Sequence, residues 1–215
     1  MKKWGLMLAL SMGVLPIAAC SGGPGASTTS GDAAGGGGAA AGPSTLQTVL
    51  DRGSLVCGVD GGIPGFSFVE DGEYSGLDVD VCKAVASALF DDPEAVEYRN
   101  LDSTERFEAL KGGEVDMLSR NTTWTLSRDT SVGMEFAPTT FYDGQGMLVR
   151  EAESLVELTD LEGKSICVET GTTTELNLTD QMRQASVSFE PVVFQDADAA
   201  YAAYEEGRCD GMTSD

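Results

Sequence analysis

Val115-Asp116-Met117-Leu118-Ser119-Arg120-Asn121-Thr122-Thr123-Trp124-Thr125-Leu126-Ser127-Arg128 passes from an apolar segment into one crowded with hydrogen-bond donors. The first four residues read as a short buried strand. The rest carries a run of hydroxyls, an amide and two guanidinium groups, far more donor capacity than a connection needs. Just beyond the carboxyl end of a strand, such a segment suits a crevice ligand bearing a carboxylate, held bidentately by Arg128 with Thr123 as a hydroxyl donor. A Ser/Thr-rich turn with a surface arginine is the plainer reading of the same residues.

Upstream of this stretch the chain alternates strands and helices. Leu46, Val49 and Leu50 make a helical turn that ends at Gly53. Leu55–Val59 reads as a buried strand by its length and β-branching. It runs into Asp60-Gly61-Gly62-Ile63-Pro64-Gly65-Phe66, which reads as a ligand-approach loop or as an ordinary tight turn. A helix is expected from about Leu77, with Cys82, Val85, Ala86 and Leu89 on its core face. Ala95–Asn100 reads as a second strand, Asp102-x-x-Glu105 as a capping box, and Phe107 and Leu110 as inward-facing helix positions. With Val115–Leu118 as third strand, the βαβαβ order predicts a parallel sheet with right-handed crossovers. Asp60 and the Ser119–Arg128 segment then fall at one edge of that sheet.

Downstream, Gly146–Val149 reads as a further strand and 151–163 as acidic and turn-rich. Ser165–Val168 is a strand leading into Thr170-Gly171-Thr172-Thr173-Thr174-Glu175. That loop opens a helix, so its N–H groups and the positive dipole end favour an anion. Thr172-x-x-Glu175 is equally a capping box. Leu178 and Met182 lie one turn apart on the helix. Val192–Phe194 is the next strand, Ala199 to Tyr204 a helix ended by Gly207, and a strand begins at Asp210. The second half thus repeats the plan of the first and is expected to be a truncated lobe, cut off after its third strand. A hinge is expected near Val149 to Glu153.

Charge and composition exclude several classes. The 215 residues carry a formal charge of −22 and contain no histidine, with 41% hydrophobic residues. Nucleic acid and anionic lipid surfaces are poor electrostatic partners for such a chain. Histidine-based acid/base catalysis and histidine-ligated metals are ruled out. The N-terminus has Lys2 and Lys3 before an apolar run, Leu6 to Leu15, too short to span a bilayer. Ile17-Ala18-Ala19-Cys20 then matches a lipobox, with Cys20 as the lipidation site; cleavage as a plain secretory peptide near Ala19 is the alternative. Residues 21–44 are rich in Gly, Ala, Ser and Thr and read as a tether with a reach of roughly 25–30 Å. The other four of the five cysteines, Cys57, Cys82, Cys167 and Cys209, favour disulfides in an exported chain. Three pairings are open. Cys57–Cys82 and Cys167–Cys209 are preferred because each pair falls within one lobe. No C-x-x-C spacing supports a metal site, and no cofactor is expected.

Gly76-Leu77-Asp78-Val79-Asp80-Val81-Cys82-Lys83-Ala84-Val85-Ala86-Ser87-Ala88-Leu89 resembles the signature of the bacterial extracellular solute-binding proteins of family 3. Segments 118–130, 142–150, 167–178 and 207–215 resemble its general L-amino-acid-binding branch. The resemblance implies an α/β, two-lobed type II periplasmic-binding-protein fold. The segments are then a signal peptide (1–20), a tether (21–44), a first lobe (45–150) and an incomplete second lobe (151–215). By the same resemblance Arg128 clamps a substrate α-carboxylate, with Thr123 and Asn121 as its neighbours. Thr172 and Thr173 donate to that carboxylate from the second lobe, and Asp215 receives the α-ammonium. Asp60 and Ile63 line the side-chain pocket, while Arg120 reaches either the ligand side chain or an interlobe salt bridge.

The implied protein is no enzyme. It is an exported lipoprotein, facing periplasm or cell exterior and held to the membrane through its lipid alone. It acts as a monomer, delivering L-amino acids to the permease of an ABC importer. Two alternatives share the fold: the sensing domain of a signalling receptor, and a periplasmic dehydratase. The second needs a positioned proton donor or acceptor, for which only carboxylates, Tyr142 or a cysteine are on offer.

Overall fold

The computed structural model describes residues 44–215. The signal peptide, Cys20 and nearly all of the tether lie outside the described residues. Helix α1 (Thr45–Arg52) opens on Ser44, whose hydroxyl accepts from Gln47 N, and closes on Gly53 at φ 78°. Strand β1 (Leu55–Val59) follows, then three short strands, β2 (Gly62–Ile63), β3 (Ser67–Glu70) and β4 (Glu73–Ser75). After these come α2 (Leu77–Phe90), β5 (Val96–Asn100), α3 (Arg106–Lys111), β6 (Met117–Leu118) and α4 (Leu126–Thr130). The remaining elements are β7 (Gly146–Val149), two 3₁₀ turns at Glu151–Glu153 and Leu158–Leu161, β8 (Ser165–Glu169), α5 (Thr173–Ala185), β9 (Glu190–Phe194), α6 (Ala197–Glu205) and β10 (Gly211–Ser214).

The first sheet is parallel, in the order β5-β1-β6. A side chain at Gly58 in its central strand would displace the leucines packed there. A Cβ there would lie 2.6 Å from Leu118 Cδ2 and 2.7 Å from Leu101 Cδ1. Strand β6 is shorter than Val115–Leu118 suggests. The Asp116 carboxylate accepts from Val56 N at 2.7 Å, so a side chain takes the place of a ladder carbonyl. Strands β2, β3 and β4 form an antiparallel meander where the sequence suggests only a loop and a turn. They are too short to show alternation. The buried Ser67 hydroxyl helps pin them, accepting from Asp60 N and Gly61 N at 3.1 Å each.

The second sheet has the order β7-β10-β8-β9, with β10, β8 and β9 parallel and β7 antiparallel to β10. This corrects the boundary drawn at residue 150. Gly146–Val149 pairs with Gly211–Ser214, so β7 belongs with the second sheet. The crossing from one sheet to the other therefore lies before Gly146, between α4 and β7, and not at Val149 to Glu153.

Both sheets are packed by helices on both faces, α2 and α3 on the first and α5 and α6 on the second. Cys57, Val59 and Cys82 form a buried cluster between β1 and α2. Ile166, Val168, Leu178 and Met182 do the same between β8 and α5. Cys57 is bonded to Cys82, and Cys167 to Cys209, with Cα–Cα separations of 6.2 and 5.7 Å. Each bond ties a central strand of one sheet to the chain segment packed on it.

Candidate functional site

The strands deliver their carboxyl ends to a common cleft. Asp60 follows β1, Ser119–Thr125 follows β6, Thr170–Thr173 follows β8 and Asp215 follows β10. Between them is a cavity of about 280 Å³. Ile63, Asn121, Thr123, Arg128, Thr172, Thr173 and Asp215 all line it. Asp60 does not. It turns away and meets Arg120 Nη2 at 2.7 Å, and it borders an adjoining hollow of about 260 Å³.

Arg128 sits in the short helix α4, whose N-cap Thr125 accepts from Arg128 N at 3.2 Å. The side chain is only 7% exposed. Its Nη1 donates to Thr123 O at 2.7 Å, and its guanidinium lies 5.2 Å from the centre of the Phe107 ring. Burial pulls its pKa down, and the Asp215 charge opposes that. Asp215 is held from the other side, accepting from Thr174 Oγ1 at 3.1 Å and from Thr123 Oγ1 at 3.4 Å. Thr123 Oγ1 is 3.0 Å from Thr173 Oγ1, which brings the hydroxyl donors of both halves together. The Thr172 hydroxyl caps α5, accepting from Glu175 N at 3.1 Å. The Glu175 carboxylate completes this turn by accepting from Gly171 N. A cation, hydroxyl donors and an anion thus surround one cavity.

Three further cavity residues went unread in the sequence. Arg106 is 2% exposed, donates from Nη1 to Thr122 Oγ1 at 3.1 Å, and leaves its Nε without a partner. Its desolvation, reinforced by Arg120 and Arg128, pulls its pKa down to about 9. The Phe107 ring neighbours both guanidinium groups, with Arg106 5.0 Å and Arg128 5.2 Å from its centre. Arg106 thus brings a buried, incompletely hydrogen-bonded cation to the cavity wall, chemistry that suits an anionic or carbonyl group. The one available signal was spacing. Arg106 precedes Ala109 and Leu110 by three and four positions, so it shares their inward helix face. Ser103 and Glu169 are the other two. Their side chains meet at 2.5 Å, Ser103 Oγ donating to Glu169 Oε1.

Arg120 is also buried, at 3% exposure, and donates from Nε to Leu101 O at 2.7 Å. Besides Asp60 it approaches Glu169 Oε1 across the cleft at 3.8 Å, so it takes the interlobe role. Behind it, Asp78 lies at the start of α2, 5% exposed, and accepts from Asn121 N at 3.4 Å. Burial raises its pKa above the ordinary carboxylate value. A carboxyl raised in this way costs stability above its folded pKa, and the cost fades as pH falls towards the unfolded value of about 4. Asp78→Asn is therefore expected to raise the melting temperature at pH 7, with the gain shrinking towards pH 4. Calorimetry across that range checks it; a gain that is absent at pH 7, or that grows on acidification, contradicts the assignment.

Two α/β halves, one on a parallel sheet and one on a mixed sheet, thus face a charged cleft. The chain belongs to the bacterial extracellular solute-binding proteins, family 3, whose family model matches residues 55–204. Its fold is the type II periplasmic-binding-protein fold. The general L-amino acid-binding periplasmic protein AapJ of Rhizobium johnstonii is 48% identical over 176 residues, covering 81% of this chain and 52% of AapJ. The glutamate/glutamine/aspartate/asparagine-binding protein BztA of Rhodobacter capsulatus is 44% identical, with coverage of 81% and 52%. Among solved structures, an ABC transporter periplasmic binding protein from Brucella ovis with glutathione bound matches at 50% identity and a TM-score of 0.75. That match covers 80% of this chain and 55% of the Brucella chain. The chain spans about half the length of the curated relatives it matches.

Proposed function

We propose that the protein captures L-amino acids in the cleft and delivers them to the permease of an ABC importer, as an exported lipoprotein held by Cys20 through the 21–44 tether. It acts as a binding protein without catalysis. The α-carboxylate binds Arg128, Thr123, Thr172 and Thr173, and the α-ammonium binds Asp215. The side chain points past Ile63 towards Arg106. The observation that carries this reading is that buried Arg128 and the exposed Asp215 line one cavity, which matches the two charges of a zwitterion. Relatives named for general L-amino acid binding and for glutamate, glutamine, aspartate and asparagine support it.

The test is calorimetric titration with a panel of acidic, amide, neutral and basic L-amino acids, on the protein and on Arg106→Met. Micromolar binding of at least one amino acid is expected. Removing the charge-assisted bond of Arg106 is expected to weaken glutamate and aspartate by about tenfold more than serine or alanine. A cooperatively folded protein that binds none of the panel sinks the proposal. A second reading adds γ-glutamyl peptides. The main cavity and the adjoining hollow share Gly62, Ile63, Ala197 and Asp198, leaving room beyond a single amino acid. The glutathione-bound Brucella structure supports including glutathione in the panel.

A further inference from the structure

Glu169 stands at the end of β8, in the second sheet, yet the partners of its side chain belong to the half built on the first. Ser103, 3% exposed, donates to its carboxylate at 2.5 Å. Arg120 lies 3.8 Å from the same oxygen while holding Asp60 at 2.7 Å. Arg120 Nη1 is buried without a partner, so its charge is incompletely compensated inside the first sheet. Two residues further on, Gly171 at φ +73° packs on the Ser103 backbone. A Cβ at Gly171 would lie 3.1 Å from Ser103 O and 3.3 Å from Thr104 Cγ2. The seam is therefore close-fitting and polar.

We infer that Glu169 is a closure latch: its bonds to Ser103 and Arg120 hold the two lobes together independently of what the ligand is. Arg128 and Asp215 read the zwitterion, and Arg106 faces the ligand side chain. Glu169 acts through the lobes, as a positioning residue. The latch favours the closed form by a fixed amount. Apparent affinity scales with the fraction of binding-competent protein, so loosening the latch weakens every ligand by one common factor. Burial raises the Glu169 pKa, with Ser103 and Arg120 opposing, as a carboxylate drawn into a closing seam requires. This inference rests on the cleft being a ligand site; its first test below does not need a ligand.

Glu169→Gln and Ser103→Ala each weaken the seam from opposite sides and are compared with the unmodified protein. In the ligand-free state, hydrogen exchange of the backbone at Ser103–Arg106 and Gly171–Thr173 is expected to accelerate in both variants. Exchange inside β1 and β8 is expected to stay the same. With amino acids, both variants are expected to bind more weakly by one factor shared by all ligands, at most about tenfold, as for loss of a hydrogen bond to a charged group. The loss should fall on the dissociation rate and leave the ratios among acidic, neutral and basic ligands within about twofold of the original. Unchanged exchange along the seam overturns the latch even if no ligand binds. A change in the ligand ratios also overturns it, by showing that Glu169 touches the ligand itself. If the seam loosens as expected while no amino acid binds the unmodified protein, the latch stands and the proposed ligand class falls.

Discussion

Arg128→Ala is expected to cost about 2–5 kcal/mol of binding free energy for every ligand that carries an α-carboxylate, a loss of roughly thirtyfold to several thousandfold. The arginine fork is desolvated and aimed at the cavity, and its removal leaves the ligand carboxylate buried without a cation. Arg128→Lys keeps the charge and loses the fork, so its affinity should fall between the two. The ligand-free variant should be no less stable than the parent. Arg120 acts to lower the Arg128 pKa, and Arg128 in turn acts to lower that of Arg106, so deleting one of three clustered cations relieves repulsion. Titration beside a melting curve reads both effects. An alanine variant that binds within about threefold of the parent removes Arg128 from the site.

The second large effect concerns stability. Replacing Cys167 and Cys209 together by alanine opens a loop with a sequence separation of 42 residues. In the chain-entropy model that loop is worth about 4 kcal/mol, against about 3.5 kcal/mol for the separation of 25 between Cys57 and Cys82. For a folded region of this size the melting temperature should fall by roughly 8–16 °C. The site should suffer too, because the bond ties the strand ending at Glu169 to the turn that launches the strand ending beside Asp215. Calorimetry of the oxidised parent and the double variant decides it. A fall of less than about 2 °C means that the bond contributes little beyond what the surrounding core already supplies.

Local signals in the chain were sufficient wherever periodicity or capping set the structure. The strand Leu55–Val59 and the helix beginning at Leu77 fall where their spacing places them. Thr172 caps α5, as the Thr/Glu spacing implies, and Asp102 accepts from Glu105 N ahead of α3. Long-range pairing was the part without a local signal. Gly146–Val149 reads as a strand in isolation, but its partner lies more than sixty residues away, so the sequence between them says nothing of which sheet receives it. The meander after Asp60 was missed because strands of two to four residues have no readable period. In the site, charged groups in donor-rich loops stood out, while Arg106 was hidden inside a segment that reads as an ordinary surface helix. Asp60 was legible as a polar group at a strand end, but not its partner. Arg120, sixty residues on, captures it and turns it from the main cavity.

The strand order β7-β10-β8-β9 constrains how the polypeptide can be assembled as an exported chain emerges, N-terminus first, on the far side of the membrane. The first sheet draws all its strands from residues 55–118, so its ladders can form before the rest has emerged. The second sheet has a later strand, Gly211–Ser214, inserted between two earlier ones. Until those residues appear, Gly146–Val149 and Ser165–Glu169 lack the strand that joins them. Vectorial emergence therefore imposes a delay on one half that the other half does not share, and during that interval the exposed strand edges need protection from stray pairing.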